Sequence, residues 1–398
     1  GYSAKLDSLI NAKYKVPFKI FDKKNAEKLF GKNLNISASQ LEKFNLCRFS
    51  YFCNYGLNVR ERQRAEINPM QYGTIVHYIL ERFFGEYTKE EYLSLEEDKF
   101  QKIVCAYLAE YAVKYFGEEQ LESNSFTYRL KTILDNVMYL MKHIMEELSQ
   151  SEFFVADCEL KIGEDIPSYT IVLPDGHKIA VCGSVDRVDI MQRADITYLR
   201  IIDYKTGTKQ FKLSDILYGI NLQMLLYLHS IEASGGDKYG EIVPAGILYM
   251  PATVPYISSD SLKSIDKLPD ELNKKLKMNG LLLKDTEIIH GMDKTDAATY
   301  IPVKIKAGEP VSSTSLATLA EFGKIFKKVD MLIAEMGKNI YNGNIEAKPL
   351  KGGHDSCEYC PYDSVCAYRQ SNPITCFSVD NKTVIEEITN EINGKEEE

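Results

Sequence analysis

No run of eighteen or more apolar residues occurs in the chain, so the sequence holds no candidate for a membrane-spanning helix. Gly1 to Leu9 lacks an apolar h-region, which excludes a secretory signal there. No G-x-x-x-x-G-K-[ST] loop is present, and ATP is therefore not bound by that route. Positive charge is not in excess: 48 Lys and Arg stand against 57 Asp and Glu, a net charge of −9. A uniformly basic nucleic-acid binder is thereby excluded. Any such binding has to use local basic patches or metal ions that mask acidic groups. Internal repeats and low-complexity linkers are also missing.

What is present reads as globular. The chain has 398 residues, 44% hydrophobic and 26% charged, enough for one large domain or two ordinary ones. Its nine cysteines are not spread over a small frame, so a disulfide scaffold is not expected. With no signal peptide, the expected compartment is the cytoplasm, and clustered cysteines read first as metal ligands. Residue 1 is Gly rather than Met, which leaves open that the chain is an excised piece of something longer.

Residues 1–36 are Lys-rich and weakly periodic, an N-terminal extension. Ser37 or Ser39 can N-cap a helix over Gln40 to Phe52. A second helix follows Pro69, with Ile75, Val76, Ile79, Leu80, Phe83 and Phe84 at helical spacing. A helical insertion over about 85–150 comes next. Its first stretch opens on the capping box Thr88–Glu91, and its second runs from about Arg129 to Leu148. Strands are expected at 153–162, 169–173, 178–190 and 197–205, with Pro174-Asp175-Gly176 as a turn. Ser214 caps a further helix through Leu228. Strands are also expected at 242–250 and 300–305, separated by a polar, Lys-rich insertion from Val254 to Thr299. Leu316 to Ile340 reads as helix, Gly352 to Cys376 as a Cys-rich knot, and 377–398 as an acidic tail, solvated or helical. The order predicts a mixed α/β sheet flanked by helices, with the main domain over 37–376.

Gly183-Ser184-Val185-Asp186-Arg187-Val188-Asp189 and Ile201-Ile202-Asp203-Tyr204-Lys205-Thr206-Gly207 carry the chemistry. Strand side chains alternate, so Asp203 and Lys205 project together. A tight turn at Gln192 to Asp195 makes the segments a hairpin. Asp186 then lies on the face of Asp203, opposite or one step diagonal. Two neighbouring carboxylates are costly to bury unless a cation neutralises them, and a hard ion such as Mg²⁺ does so with oxygen ligands. The lysine would sit beside a metal-bound water and a scissile phosphate. Tyr204 points to the opposite face, but its carbonyl is a further possible ligand. A bare D-x-K also matches by chance, and reads equally as the surface ion pairs Asp186–Arg187 and Asp203–Lys205.

Three features add to the motif. His77 lies four residues after Gly73 on one helical face, placed to bind metal, or is simply a core or boundary histidine. Gln223 and Tyr227 form an i,i+4 pair that could contact DNA or brace the lysine. Glu159 sits on the first strand, aimed at the metal or at solvent from an edge. In this order G-x-x-x-H, an acidic strand, G-x-x-D-R-x-D, D-Y-K-T-G and Q-x-x-x-Y resemble the RecB-type branch of the PD-(D/E)XK nucleases. The resemblance implies metal ligands His77, Asp186, Asp203 and the Tyr204 carbonyl, with Lys205 as catalytic lysine. Gln223 and Tyr227 match its last motif.

Cys357, Cys360 and Cys366 place three thiols within ten residues. A Cys₄ site needs a fourth, for which Cys47 is preferred and Cys53 and Cys376 compete. Cys105, Cys158 and Cys182 read as small buried residues. Spacing alone does not separate zinc from an iron–sulfur cluster. From about Ile36 to Cys366 the chain resembles the nuclease region of the AddB family. That resemblance implies a 4Fe–4S cluster on Cys47, Cys357, Cys360 and Cys366. It also implies an AddA-type helicase–nuclease subunit as heterodimer partner, and Mg²⁺-dependent cutting of a single strand at unwound duplex ends during recombinational repair. Candidate DNA contacts are Arg60, Arg62, Arg64, Lys209 and Lys212, with Tyr51, Phe52 and Tyr55 for base stacking. The rival readings are a non-catalytic DNA-end-binding module and a CRISPR-associated or replication-type exonuclease with the same cluster.

Overall fold

The computed structural model describes residues 6, 19–60, 69–117, 123–207, 209–255, 268–312, 314–366, 368 and 373–396. Arg62 and Arg64 lie outside them, as does part of the Lys-rich insertion. Strands β1 (Asn33–Ile36), β2 (Phe154–Ile162), β3 (Thr170–Val172), β4 (Lys178–Val181), β5 (Gly183–Arg193), β6 (Ile196–Lys205), β7 (Glu241–Pro251), β8 (Asn279–Leu283), β9 (Lys304–Lys306), β10 (Glu309–Val311) and β11 (Leu316–Ala317) build the sheets. The main sheet runs β11-β8-β7-β6-β5-β2 and is mixed: β6–β7 and β8–β11 are parallel, the rest antiparallel. A parallel neighbour requires a crossover. Here the helix Gln223–Ser234 supplies it and packs on β7.

The helix Pro69–Glu86 packs on β2 and β6, and the helices Glu97–Phe116 and Asn124–Ser149 pack on it. Ser37 makes the capping box with Gln40, but the helix it starts ends at Leu46. Cys47 is extended there, and a short helix Arg48–Tyr51 and a π-turn Phe52–Gly56 follow. Tyr51 is buried against Phe30, Phe44 and Tyr55, so it is core and not a base-stacking platform. Thr88 and Glu91 form their box on a helix of only five residues.

Four sequence expectations are corrected. The strand expected over 178–190 is two: β4 pairs with β1, and Cys182 N–H donates to Ile36 O where β5 departs toward β2. Ser214 lies inside a 3₁₀ turn, Leu213–Tyr218, closed by Gly219 at φ +69. The following helix begins at Gln223 instead, capped by Glu42, whose Oε1 accepts from the N–H groups of Leu222 (2.7 Å) and Gln223 (3.3 Å). The segment expected as a polar insertion contains β8, a buried strand of the main sheet, and the helix Thr286–Met292. Of the strand expected over 300–305, only Lys304 and Ile305 are extended, in β9, which forms a hairpin with β10.

Described segments toward both ends of the chain join the body. β1 pairs with β4, and the helix Asn381–Glu396 buries Val384 and Ile388 against the helix Leu319–Tyr341. Among the described residues no helix is long and apolar enough to cross a membrane.

One histidine links three elements. His229 Nε2 lies 3.0 Å from Asp330 Oδ1, which also accepts from Tyr169 Oη, and its ring stacks on Phe326. Burial alone would lower its pKa, but the Asp330 and Glu232 carboxylates outweigh it and raise it to about 9. A folded pKa above the unfolded value of about 6.5 gives stability that is full below 6.5 and lost as pH rises through 9. The melting temperature should therefore fall between pH 6.5 and 9.5, with about 3 kcal/mol at stake. His229→Gln should flatten that slope; parallel curves for the two proteins would reject the assignment.

Candidate active site

The site forms where two strands part. The β5–β6 ladder runs from Arg193↔Ile196 to Arg187↔Ile202. One step further, Asp186 stands opposite Asp203, and its carboxylate fills the opening: Oδ2 accepts from Tyr204 N–H at 3.0 Å. Lys205 Nζ lies 2.5 Å from Asp203 Oδ2, as alternation along a strand requires. Asp203 is 2% exposed, so the acid–lysine pair is not a surface ion pair. On β7, Tyr249 is the partner of Asp203, and the Nζ atoms of Lys205 and Lys209 lie 5.8 and 5.1 Å from its ring.

His77 and Glu159 close the other side. His77 Nδ1 is 2.8 Å from Glu159 Oε1, and its Nε2 is 3.6 Å from Asp186 Oδ2. Ser184 Oγ donates to Glu159 Oε2 at 2.8 Å. Glu159 adopts φ +50, a left-handed conformation rare outside glycine, within the strand that faces Asp186. Strain of this kind persists where surrounding contacts hold it, and here it accompanies the carboxylate facing His77. Of the two readings open for Glu159, the structure gives the inward one.

Burial, then the charge of Asp203, pushes the Asp186 carboxyl up to about 7. Burial also raises Asp203, although Lys205 opposes it. For Glu159 burial is outweighed by the hydrogen bonds from His77 and Ser184, which hold its pKa low. Burial would lower His77, but Glu159 and Asp186 raise it. Three acids crowd one imidazole, an arrangement that a cation would relieve. One donor atom each from His77, Glu159 and Asp186 lies within 4.8 Å of the others, with Asp203 adjoining. Oxygen and imidazole donors of this kind suit a hard or borderline divalent ion, so the residues fit one.

Gln223 opens its helix and is half-buried. Tyr227 was expected against DNA or the lysine; instead its hydroxyl rests on Gly183, where a Cβ would come within 2.2 Å of it, and accepts from Ala38 N–H. The tyrosine thus braces β5. Tyr204 turns its phenol into the core, its ring edge-on to His77.

Behind the site lies a buried charge cluster that the motif only half revealed. Arg187 donates to Asp189 (2.6 and 2.7 Å) and Glu147 (3.1 Å). Arg200, the cross-strand partner of Asp189, donates to Asp189 (3.0 Å) and Glu147 (2.6 Å). All four side chains have no exposure.

The thiols gather from both ends of the chain. Cys47, Cys53, Cys360 and Cys366 share one apolar cluster with Tyr362, whose hydroxyl donates to Val59 O at 2.6 Å. Burial raises Cys47 and Cys53, and the thiols of Cys366 and Cys360 add to it. Cys357 opens the turn to Cys360, beside Lys351. Cys376 packs elsewhere, with Ile220 and Leu350, and drops out as a competitor for the fourth position; Cys53 remains. Cys105, Cys158 and Cys182 are half-buried rather than enclosed.

A mixed sheet flanked by helices, with an acid–lysine strand end facing a helical histidine, defines a nuclease core. Residues 35–367 match the PD-(D/E)XK nuclease superfamily model, and the chain belongs to that superfamily. Its members generally depend on divalent metals. The chain is also similar to the B-type subunit of the ATP-dependent helicase/deoxyribonuclease of Clostridium kluyveri, at 34% identity over 100% of this chain and 36% of the relative. The same-named proteins of Thermoanaerobacter sp. (34%, covering 86% and 30%) and Ruminiclostridium cellulolyticum (33%, covering 94% and 34%) match likewise. The chain spans about a third of the length of these relatives.

Proposed function

We propose that this chain is the Mg²⁺-dependent deoxyribonuclease module of a helicase–nuclease complex that processes DNA ends for recombinational repair, paired with an AddA-type subunit. The observation that carries the reading is the His77–Glu159–Asp186 donor set beside the Asp203–Lys205 pair. His77, Asp186, Asp203, the Tyr204 carbonyl and Glu159 would hold the ion. When bound, a divalent ion polarises a phosphodiester and lowers the pKa of water. Lys205, held by Asp203 and backed by the Tyr249 ring, donates toward the scissile phosphate and offsets charge that builds there. Ser184 orients Glu159, and Tyr204 N–H orients Asp186. The test is cleavage of linear single-stranded DNA with Mg²⁺ and with EDTA. Cleavage is expected only with Mg²⁺. Its absence under both conditions, in the isolated chain and in the chain assembled with its helicase partner, overturns the reading.

The 4Fe–4S cluster is part of the same proposal, on Cys47, Cys357, Cys360 and Cys366. Support comes from thiols of two remote segments meeting without a disulfide. Bridging residues 47 and 357 closes a very long loop, worth on the order of 5 kcal/mol by chain entropy. Anaerobically purified protein should carry iron and acid-labile sulfide in equal amounts, and chelation should lower Tm by roughly 6 °C. An unchanged Tm after iron removal would reject the structural role.

A further inference from the structure

A groove of about 1200 Å³ opens beside the end of β6. Its near end is Thr206, Gly207 and Lys209, which continue directly from Lys205. Its far wall is made by the helix Leu268–Leu276, within the Lys-rich insertion, and by β9 and β10 just after it. Six lysines line it (Lys209, Lys274, Lys275, Lys277, Lys304 and Lys306) and, among the described residues, no acid. In a chain of net charge −9 such a concentration is a local exception.

The lysines divide by task. Lys277 Nζ donates to Ala298 O (2.7 Å) and Val303 O (3.2 Å) and so builds the wall. Lys209 is fixed at the catalytic end because Asn279 spans its loop: Nδ2 donates to Lys209 O at 3.1 Å and Oδ1 accepts from Phe211 N–H at 2.8 Å. Lys274, Lys304 and Lys306 are exposed and form no ion pair among the described residues. Lys304 and Lys306, two apart on β9, project together. Between these cations the groove presents apolar surface: Val254 and Val311 are 39% and 44% exposed, and Phe211 is half-buried.

We propose that this groove holds the DNA single strand on one side of the scissile phosphate, its phosphates on Lys274, Lys304 and Lys306 and its bases against the apolar groups. The inference rests on the nuclease reading and adds a path to it. Interleaved cations and apolar groups suit a single strand, which exposes its bases. A duplex keeps its bases stacked within and would leave the apolar groups uncovered.

The test compares the parent chain with the triple variant Lys274→Ala, Lys304→Ala, Lys306→Ala. Binding of fluorescent (dT)20 and of a 20-base-pair duplex is measured by anisotropy in EDTA, where no cleavage occurs, across a salt series. Each phosphate contact on a single strand contributes about 0.7 to the salt slope, so the triple variant should lose about 2 units. At 0.1 M salt this corresponds to (dT)20 binding weaker by on the order of a hundredfold. Mg²⁺-dependent hydrolysis of thymidine 5′-p-nitrophenyl phosphate, too short to reach the groove, should be unchanged. An unaltered (dT)20 slope overturns the proposal. Equal losses for (dT)20 and duplex overturn the single-strand assignment. No hydrolysis of the small ester by the parent chain, alone and assembled with its helicase partner, strikes the nuclease reading instead, while the salt slopes still decide the groove.

Discussion

Asp203→Ala and Lys205→Ala should each reduce DNA cleavage by about 10³-fold or more, the range for a group that stabilises or transfers charge in the transition state. Neither should unfold the protein. Asp203 is buried with its pKa raised by burial, so the carboxylate costs stability where it stands, and removing it relieves that cost. Lys205 is partly exposed, and the Asp203 carboxyl it leaves behind, already raised by burial, can take up a proton rather than stay as an unpaired buried anion. The two variants differ in metal response. Asp203→Ala loses a proposed ligand and should need more Mg²⁺, whereas Lys205→Ala should keep the metal dependence and lose turnover. Parallel assays of cleavage against Mg²⁺ concentration, with Tm as the folding control, separate these outcomes. Cleavage within tenfold of the parent chain in both variants would remove the site from this strand end.

Arg187→Ala should do the reverse, unfolding before it disables chemistry. Its guanidinium holds Asp189 and Glu147 with no solvent contact, and Arg200 completes a neutral set of two cations and two anions. Burial opposes the charged form of Arg187, but Asp189 and Glu147 more than offset it and raise its pKa. Removing one member leaves an uncompensated buried charge, a loss of about 3–5 kcal/mol. Replacing all four together by apolar residues of similar size should cost less than the single variant, because no stranded charge remains. Urea midpoints for Arg187→Ala and for the fourfold variant measure both. A loss under about 1 kcal/mol for Arg187→Ala would mean that water reaches the cluster. The placement matters for function. Arg187 follows Asp186 directly, so the charge cluster anchors β5 one residue from the point where the strands part.

Local pattern and spatial assembly divide this protein cleanly. The two-residue spacing of Asp203 and Lys205 dictates that they share a side, because strand alternation is a property of the chain itself. The same holds for the capping boxes at Ser37 and Thr88 and for the apolar stripe from Ile75 to Phe84, which are set by neighbours within four residues. Glu159 was legible only as one of two orientations, since its φ of +50 and its pairing with His77 depend on strands and a helix far apart in sequence. Glu147, Arg200 and Tyr249 carry no local signal at all; they join the site's support only because β5, β6, β7 and a helix lie side by side. The polar insertion hid a buried strand because the apolar run Leu281 to Leu283 is only three residues long, too short to show a period, and is flanked by Lys277 and Lys284. Lysines of that segment join Lys209, Lys304 and Lys306 in one groove only because the chain folds them together beside the end of β6. Sequence by itself determines which residues can do the chemistry and their order along each strand. Tertiary structure alone decides which charges meet, since Coulomb forces and burial act through space rather than along the chain.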